Sequence, residues 1–176
     1  MIIKKTKFKD LFIVKQKDNK DKRGSLRETF NNKILKKKFV FEYCTTSKGN
    51  VLRGFHFQTK STQSKYINVI KGKILDVVVD LRKNSKTFGK SFRIILSKKN
   101  ALGLYVPKGF AHAYYSYEKE NIIYYKLDDF YAPKYEFGII YNDKDLKIRW
   151  PKKIIMSKKD KKLFTLKEFK KKFKGL

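Results

Sequence analysis

The chain has 176 residues, one domain's worth, and can bury a core without disulfide or metal staples. Its 45 Lys and Arg against 16 Asp and Glu give a net charge of +29, yet 41% hydrophobic and 15% aromatic content lets it fold despite that charge. The charge is mostly lysine spread along the chain, as on solvated faces, and no zinc-finger spacing, RRM-like aromatic signature or basic zipper accompanies it, which argues against nucleic acid as the partner.

The first ten residues have neither a long apolar core nor a small-residue cleavage site, and do not read as a secretory signal. Residues 29–38 are expected to form a short helix around Phe30, Ile34 and Leu35. Residues 39–44 read as a strand. It ends at the only cysteine, Cys44, which cannot form an internal disulfide and fits a reducing compartment. Residues 51–58 are apolar and strand-like. Residues 67–70 and 74–81 flank Lys71-Gly-Lys73, a hairpin signal. Residues 92–96, 102–106 before Pro107, the run 105–115, and 122–127 complete a set of short strands.

In residues 164–173 the apolar positions Phe164, Leu166, Phe169 and Phe173 share one face among lysines, which predicts a C-terminal surface helix packed on the domain. No repeat, low-complexity linker or apolar run of membrane-spanning length interrupts the pattern. The expectation is one mainly β domain over residues 1–176, a sandwich or barrel, located in the cytoplasm.

Two histidines stand among 45 cations. Scarce imidazoles inside aromatic strand segments are better candidates for proton chemistry than any lysine. His56 lies in Val51-Leu-Arg-Gly-Phe-His-Phe-Gln58, and His112 in Tyr105-Val-Pro-Lys-Gly-Phe-Ala-His-Ala-Tyr-Tyr115. Arg53 precedes His56 by three residues. A guanidinium followed by glycine in an apolar strand is an odd place for a solvated charge, which marks Arg53 as a binder. The plain alternative for either histidine is a hydrogen-bonded place in a β core.

The remaining motifs are Arg23-Gly-Ser-Leu-Arg-Glu28, Lys65 before a strand, Gly72-Lys-Ile-Leu-Asp-Val-Val-Val-Asp-Leu-Arg82, Ser85-Lys-Thr-Phe-Gly89, Pro107-Lys-Gly-Phe-Ala-His112, Tyr125-Lys126 followed by Tyr131, Tyr141-Asn-Asp143, Ile148-Arg-Trp-Pro151 and Ser157-Lys-Lys-Asp160. Each is weak alone. In this order, over about residues 21–160, the set resembles the dTDP-4-dehydrorhamnose 3,5-epimerase family. The resemblance implies a cupin-like double-stranded β-helix (jelly roll) with a short C-terminal helix. It also implies a homodimer that exchanges N-terminal strands, and a nucleotide-linked 4-keto-6-deoxyhexose as substrate, on the route to rhamnose in cell-surface polysaccharides. It implies neither metal nor organic cofactor. Cupin metal sites draw several histidines, two of them close together, whereas His56 and His112 are 56 residues apart.

A keto group at C4 acidifies the protons on C3 and C5, so inversion needs a base, an acid on the opposite face and a group that stabilises the enolate. On the resemblance, His56 is the base and Asp160 the carboxylate that fixes its tautomer and stabilises the imidazolium. Tyr125 is the acid, and Lys65 the cation near the C4 oxygen. Arg53 faces the pyrophosphate, where a guanidinium offers paired donors. Arg23 and Glu28 contact the nucleotide, reached across the dimer. Tyr131 stacks on the base, while Gln58 and His112 complete the polar lining of the sugar pocket.

Several positions depart from the family's pattern. Phe41 and Tyr43 stand where a glutamine and an asparagine are usual, Leu26 where phenylalanine is common, and Ala113 where glycine follows the histidine. The pocket is therefore expected to be narrower or differently polar beside Phe41 and Tyr43. That leaves three other functions to weigh: a 3- or 5-mono-epimerase, an epimerase of another nucleotide-linked 4-keto sugar such as a GDP-linked heptose, and a non-catalytic anion- or nucleic-acid-binding cupin. The 3,4-ketoisomerase branch carries a second histidine soon after the first. Gln58, two residues after His56, argues against that branch.

Overall fold

The computed structural model describes residues 1–176. In chain order its elements are β1 (Ile2–Lys5), β2 (Phe12–Lys15), β3 (Lys17–Asp21), β4 (Gly24–Glu28), α1 (Asn32–Leu35), β5 (Phe41–Lys48), β6 (Leu52–Gln58), β7 (Lys65–Lys71), β8 (Lys73–Asp80), β9 (Ser91–Ser97), β10 (Leu102–Val106), β11 (Phe110–Ser116), β12 (Glu120–Leu127), β13 (Glu136–Gly138) and α2 (Leu166–Phe173). A six-stranded antiparallel sheet has the order β1-β2-β10-β7-β12-β5, and a five-stranded one the order β13-β6-β11-β8-β9. β3 and β4 form a separate two-stranded ribbon.

Alternation along each strand divides the apolar residues between two faces. Ile74 and Val78 of β8 pack with Ile67 and Val69 of β7 and with Ile123 and Leu127 of β12, filling the space between the sheets. Val77 and Val79, one position out of phase, turn to the outer face and meet Phe55, Phe57, Leu166 and Phe169. Burial of Leu166 and Phe169, each contributing about 1.5–3 kcal/mol, docks α2 on that outer face. Thr165 and Glu168 close a reciprocal capping box at its start. Leu35 of α1 covers the other sheet's outer face together with Val14, Tyr66 and Tyr105. Two sheets packed face to face with this strand order make the expected cupin-like jelly roll.

Two expectations are corrected. Residues 67–70 and 74–81 do become strands, but β7 and β8 do not pair: each belongs to a different sheet. Gly72 turns the chain from one layer to the other at φ +84°, where a Cβ would stand 2.5 Å from Asn121 Oδ1. That same oxygen accepts from Lys73 N at 3.0 Å and anchors the turn. The helix expected over 29–38 is only Asn32–Leu35, capped by the Asn31 side chain and ended by Lys36 in the left-handed region. The aromatic residues around it pack as loop instead, with Phe30 and Phe39 edge to face at 5.4 Å.

Candidate active site

Between the sheets, at the end where β5, β6 and β12 open, lies a cavity of about 790 Å³. β6 shapes it through an irregularity. His56 pairs with His112 across β6 and β11, and Arg53 pairs with Tyr114, so two steps on β11 oppose three on β6. The extra residue is a bulge that restores both Arg53 and His56 to the inner face, which strict alternation would have separated. Gly54 occupies the bulge at φ +109°, and a Cβ there would lie 2.5 Å from the His112 carbonyl oxygen.

Asp160 reaches His56 from 104 residues away. Ile155 forms a parallel bridge with Val51, accepting from Leu52 N at 2.9 Å and donating to Asn50 O at 2.7 Å. This lays the segment beside β6, and Ser157 Oγ then accepts from Asp160 N at 3.0 Å. Asp160 Oδ1 meets His56 Nε2 at 2.9 Å, while Gly54 N donates to Oδ2 at 3.2 Å. Burial raises the carboxyl's pKa, but the His56 hydrogen bond and charge and the Gly54 N–H outweigh it, and the net shift is downward. The imidazole side chain is 29% exposed against 6% for Asp160. Its Nδ1 is the nitrogen left for chemistry.

Tyr125 of β12 is 2% exposed. Desolvation, followed by neighbouring Tyr114, Tyr43 and Asp76, holds its pKa well above 10.0. It therefore stays a phenol, able to give a proton, across the working range. Its ring meets that of His112 edge to face at 6.1 Å. Lys65, at the start of β7, faces inward in phase with Ile67 and Val69. Desolvation lowers its pKa, opposed by Glu136 and Asp76. Arg53 bonds Ser47 Oγ at 3.2 Å and no carboxylate, so its charge is free for a ligand.

His112 is 7% exposed and bonds Asp76 Oδ2 at 2.8 Å; Asp76 is fully buried, and its Oδ1 has no partner. Gln58 lines the cavity, but its amide is occupied. It donates to Ser61 O at 2.6 Å and accepts from Ala132 N at 2.9 Å, bracing the loop after β12. Tyr131, half exposed on that loop, donates to Glu136 Oε2 at 3.1 Å. Arg23 and Glu28 are not at the cavity. Arg23 lies at the tip of the β3–β4 ribbon, paired with Asp21 at 2.7 Å, and Glu28 accepts from the Asn31 amide.

Two carboxylates of this site had no role assigned from sequence. Asp76 carried a signal: an acid in phase with Ile74 and Val78 must face the core. Glu136 pairs with Lys159 at the mouth, and its pKa is lowered on balance, burial being outweighed by Lys159 and His56. Its inward direction follows only from β13 pairing Glu136 with Gln58 and Gly138 with His56, which no local pattern reveals. His, Cys, Asp and Glu side chains nowhere gather in threes, so no metal-ligand set is formed.

The sequence model described as dTDP-4-dehydrorhamnose 3,5-epimerase matches residues 5–168. The chain belongs to that family. It is 39% identical over 173 residues to a dTDP-4-dehydrorhamnose 3,5-epimerase of Methanothermobacter thermautotrophicus, covering 93% of this chain and 94% of the relative. A crystal structure of a family member from Bacillus anthracis, with TDP and pyrophosphate bound, superposes with a TM-score of 0.90 at 38% identity, over 94% of this chain and 99% of that one. Another, from Legionella pneumophila in complex with dTDP-4-keto-L-rhamnose, gives 0.90 at 36% identity over 94% and 93%. Family membership and the jelly roll are thus as the motif order implied.

Proposed function

We propose that this chain catalyses the 3,5-epimerisation of a dTDP-linked 4-keto-6-deoxyhexose, with side chains alone as acid, base and electrostatic catalyst. The observation that carries the reading is the His56–Asp160 pair opening into one cavity with Tyr125 and Lys65. His56 Nδ1 takes the proton from the carbon beside the ketone, and the C–H electrons move onto the C4 oxygen as an enolate. Asp160 stabilises the imidazolium through Nε2–H. The Lys65 ammonium offsets the enolate charge. Tyr125 then delivers its phenolic proton to the opposite face. One proton is gained at His56 and one lost at Tyr125 in each inversion, and exchange of both with water resets the site. The same cycle at the second carbon completes the reaction.

Arg53 is assigned to the pyrophosphate and Tyr131 to the base. His112 acts as a polar wall of the sugar pocket, and Gln58 acts through the loop it braces. Arg23 and Glu28 complete the nucleotide site only from a second copy, so the reading includes a homodimer. The ribbon that carries them supports this: Leu26 on it is 69% exposed, and a two-stranded ribbon is marginal by itself. Exposed, unpaired Cys44 supports a cytoplasmic location, and no helix is long and apolar enough to cross a membrane.

A mono-epimerase is the second reading, favoured by the aromatic wall of Phe41 and Tyr43 beside Tyr125. Incubation with dTDP-4-keto-6-deoxyglucose in deuterated water separates the two. Two deuterons in the recovered sugar support the 3,5-epimerase, one deuteron the mono-epimerase, and none with folded protein contradicts both.

A further inference from the structure

Tyr43 and Tyr125 are direct cross-strand partners of β5 and β12. Opposed residues of an antiparallel pair bring their side chains together on one face, and here that face lines the cavity. The two rings stack with centroids 4.8 Å apart and planes 24° from parallel. Tyr43 is itself backed by Phe41 at 5.7 Å, and Phe41 by Phe130 at 6.2 Å, so a row of aromatic rings runs from the loop after β12 to Tyr125. His112 meets Tyr125 edge-on from β11. A phenol held by a stacked ring and by a perpendicular one has little freedom to swing.

We infer that Tyr43 is a positioning residue for the acid: its ring fixes the plane of Tyr125 and keeps water off one face, so that the Tyr125 hydroxyl meets the sugar in one orientation. The inference rests on the proposed role of Tyr125. Other groups near Tyr125 are Thr45 from β5, Lys65 from β7, Asp76 from β8, and His112 and Tyr114 from β11. Asp76, His112 and Tyr114 are buried, whereas Tyr43 is 36% exposed. Tyr43 can therefore be cut back without emptying the core. Thr45 shares its face, meets the Tyr114 hydroxyl at 3.1 Å and also hydrogen-bonds Tyr125, which opposes the rise in the phenol's pKa, but it is too short to replace the ring. Desolvation is the largest cause that holds the phenol protonated and Tyr43 adds to it, so removing the stacked ring, which lets water reach that face, is expected to ease ionisation.

The test compares Tyr43→Asn with Tyr43→Phe, each checked for an unchanged melting temperature. Ionisation of Tyr125 is followed by NMR of ring-labelled tyrosine with no substrate, and kcat and KM are measured on dTDP-4-keto-6-deoxyglucose. In Tyr43→Asn, Tyr125 is expected to titrate at lower pH than in the parent, and kcat to fall about 10-fold or more with KM within about threefold. Tyr43→Phe, which keeps the stack and loses the hydroxyl, is expected to restore both. A Tyr43→Asn protein with the parent's titration and kcat overturns the inference, as does a Tyr43→Phe protein that fails like Tyr43→Asn. If the parent itself does not turn over this sugar, the proposed function fails, while the titration still decides what Tyr43 does to Tyr125.

Discussion

His56 and His112 are cross-strand neighbours, each bonded through Nε2 to an aspartate, yet their surroundings differ. The His56 side chain is 29% open to the cavity, and its Asp160 has both oxygens bonded. The His112 side chain is 7% exposed, and its Asp76 is fully buried with one oxygen unpaired. A proton can leave and return through the first pair. The second pair shows only an edge of His112 to the cavity, its aspartate is sealed in the core, and either member removed leaves the other uncompensated. The comparison teaches that a histidine–aspartate bond does not define a base: access and completed hydrogen bonding do.

The most forceful way to break the comparison is to remove each imidazole. His56→Ala is expected to lower kcat by about 10²–10⁴-fold with little change in melting temperature, measured by turnover and thermal unfolding. His112→Ala removes a wall of the pocket and the edge contact to Tyr125, so turnover falls there too, but it differs in also costing the fold. It strands the Asp76 carboxylate in the core and lowers unfolding free energy by about 3–5 kcal/mol, read by urea titration. An equal stability loss in both variants would erase the distinction.

A smaller effect separates lining from bracing. Gln58→Ala removes the acceptor of Ala132 N and the donor to Ser61 O. It is expected to cost about 1–3 kcal/mol and to raise KM more than it lowers kcat, because the loop bearing Tyr131 loosens. The kcat and KM split checks this.

The smallest effect is in acid. The Asp160 pKa lies below the ordinary aspartate value of about 3.9, so its charge stabilises the fold above that value, and the contribution is lost as pH falls through the lower folded value. Asp160→Asn should therefore flatten the acid limb of stability below about pH 5, as pH falls through the ordinary aspartate value and beneath it. Unfolding free energies over that range would show the same slope as the parent if the pairing were without consequence.

Much of the fold was legible because one period governs it. Residues 102–106 became β10 with the expected bounds, and 122–127 lie within β12, since alternating apolar residues have one way to face a core. The hairpin at Lys71-Gly-Lys73 misled because a tight turn reads alike whether its strands pair or pass to different sheets. β3 and β4 carried no apolar face to announce them. His56, Arg53, Lys65, Tyr125 and Asp160 were found through motif order, and the structure brings them to one cavity. What sequence could not supply was direction: the bulge at Gly54 that realigns Arg53 with His56, and the register that turns Glu136 inward.

The most direct test of the account is deuterium exchange at C3 and C5 of dTDP-4-keto-6-deoxyglucose in deuterated water, run on the parent, His56→Ala and His112→Gln. Exchange is expected in the parent and, more slowly, in a folded His112→Gln protein, with none above background in His56→Ala. Exchange at the parent's rate in His56→Ala would contradict the account.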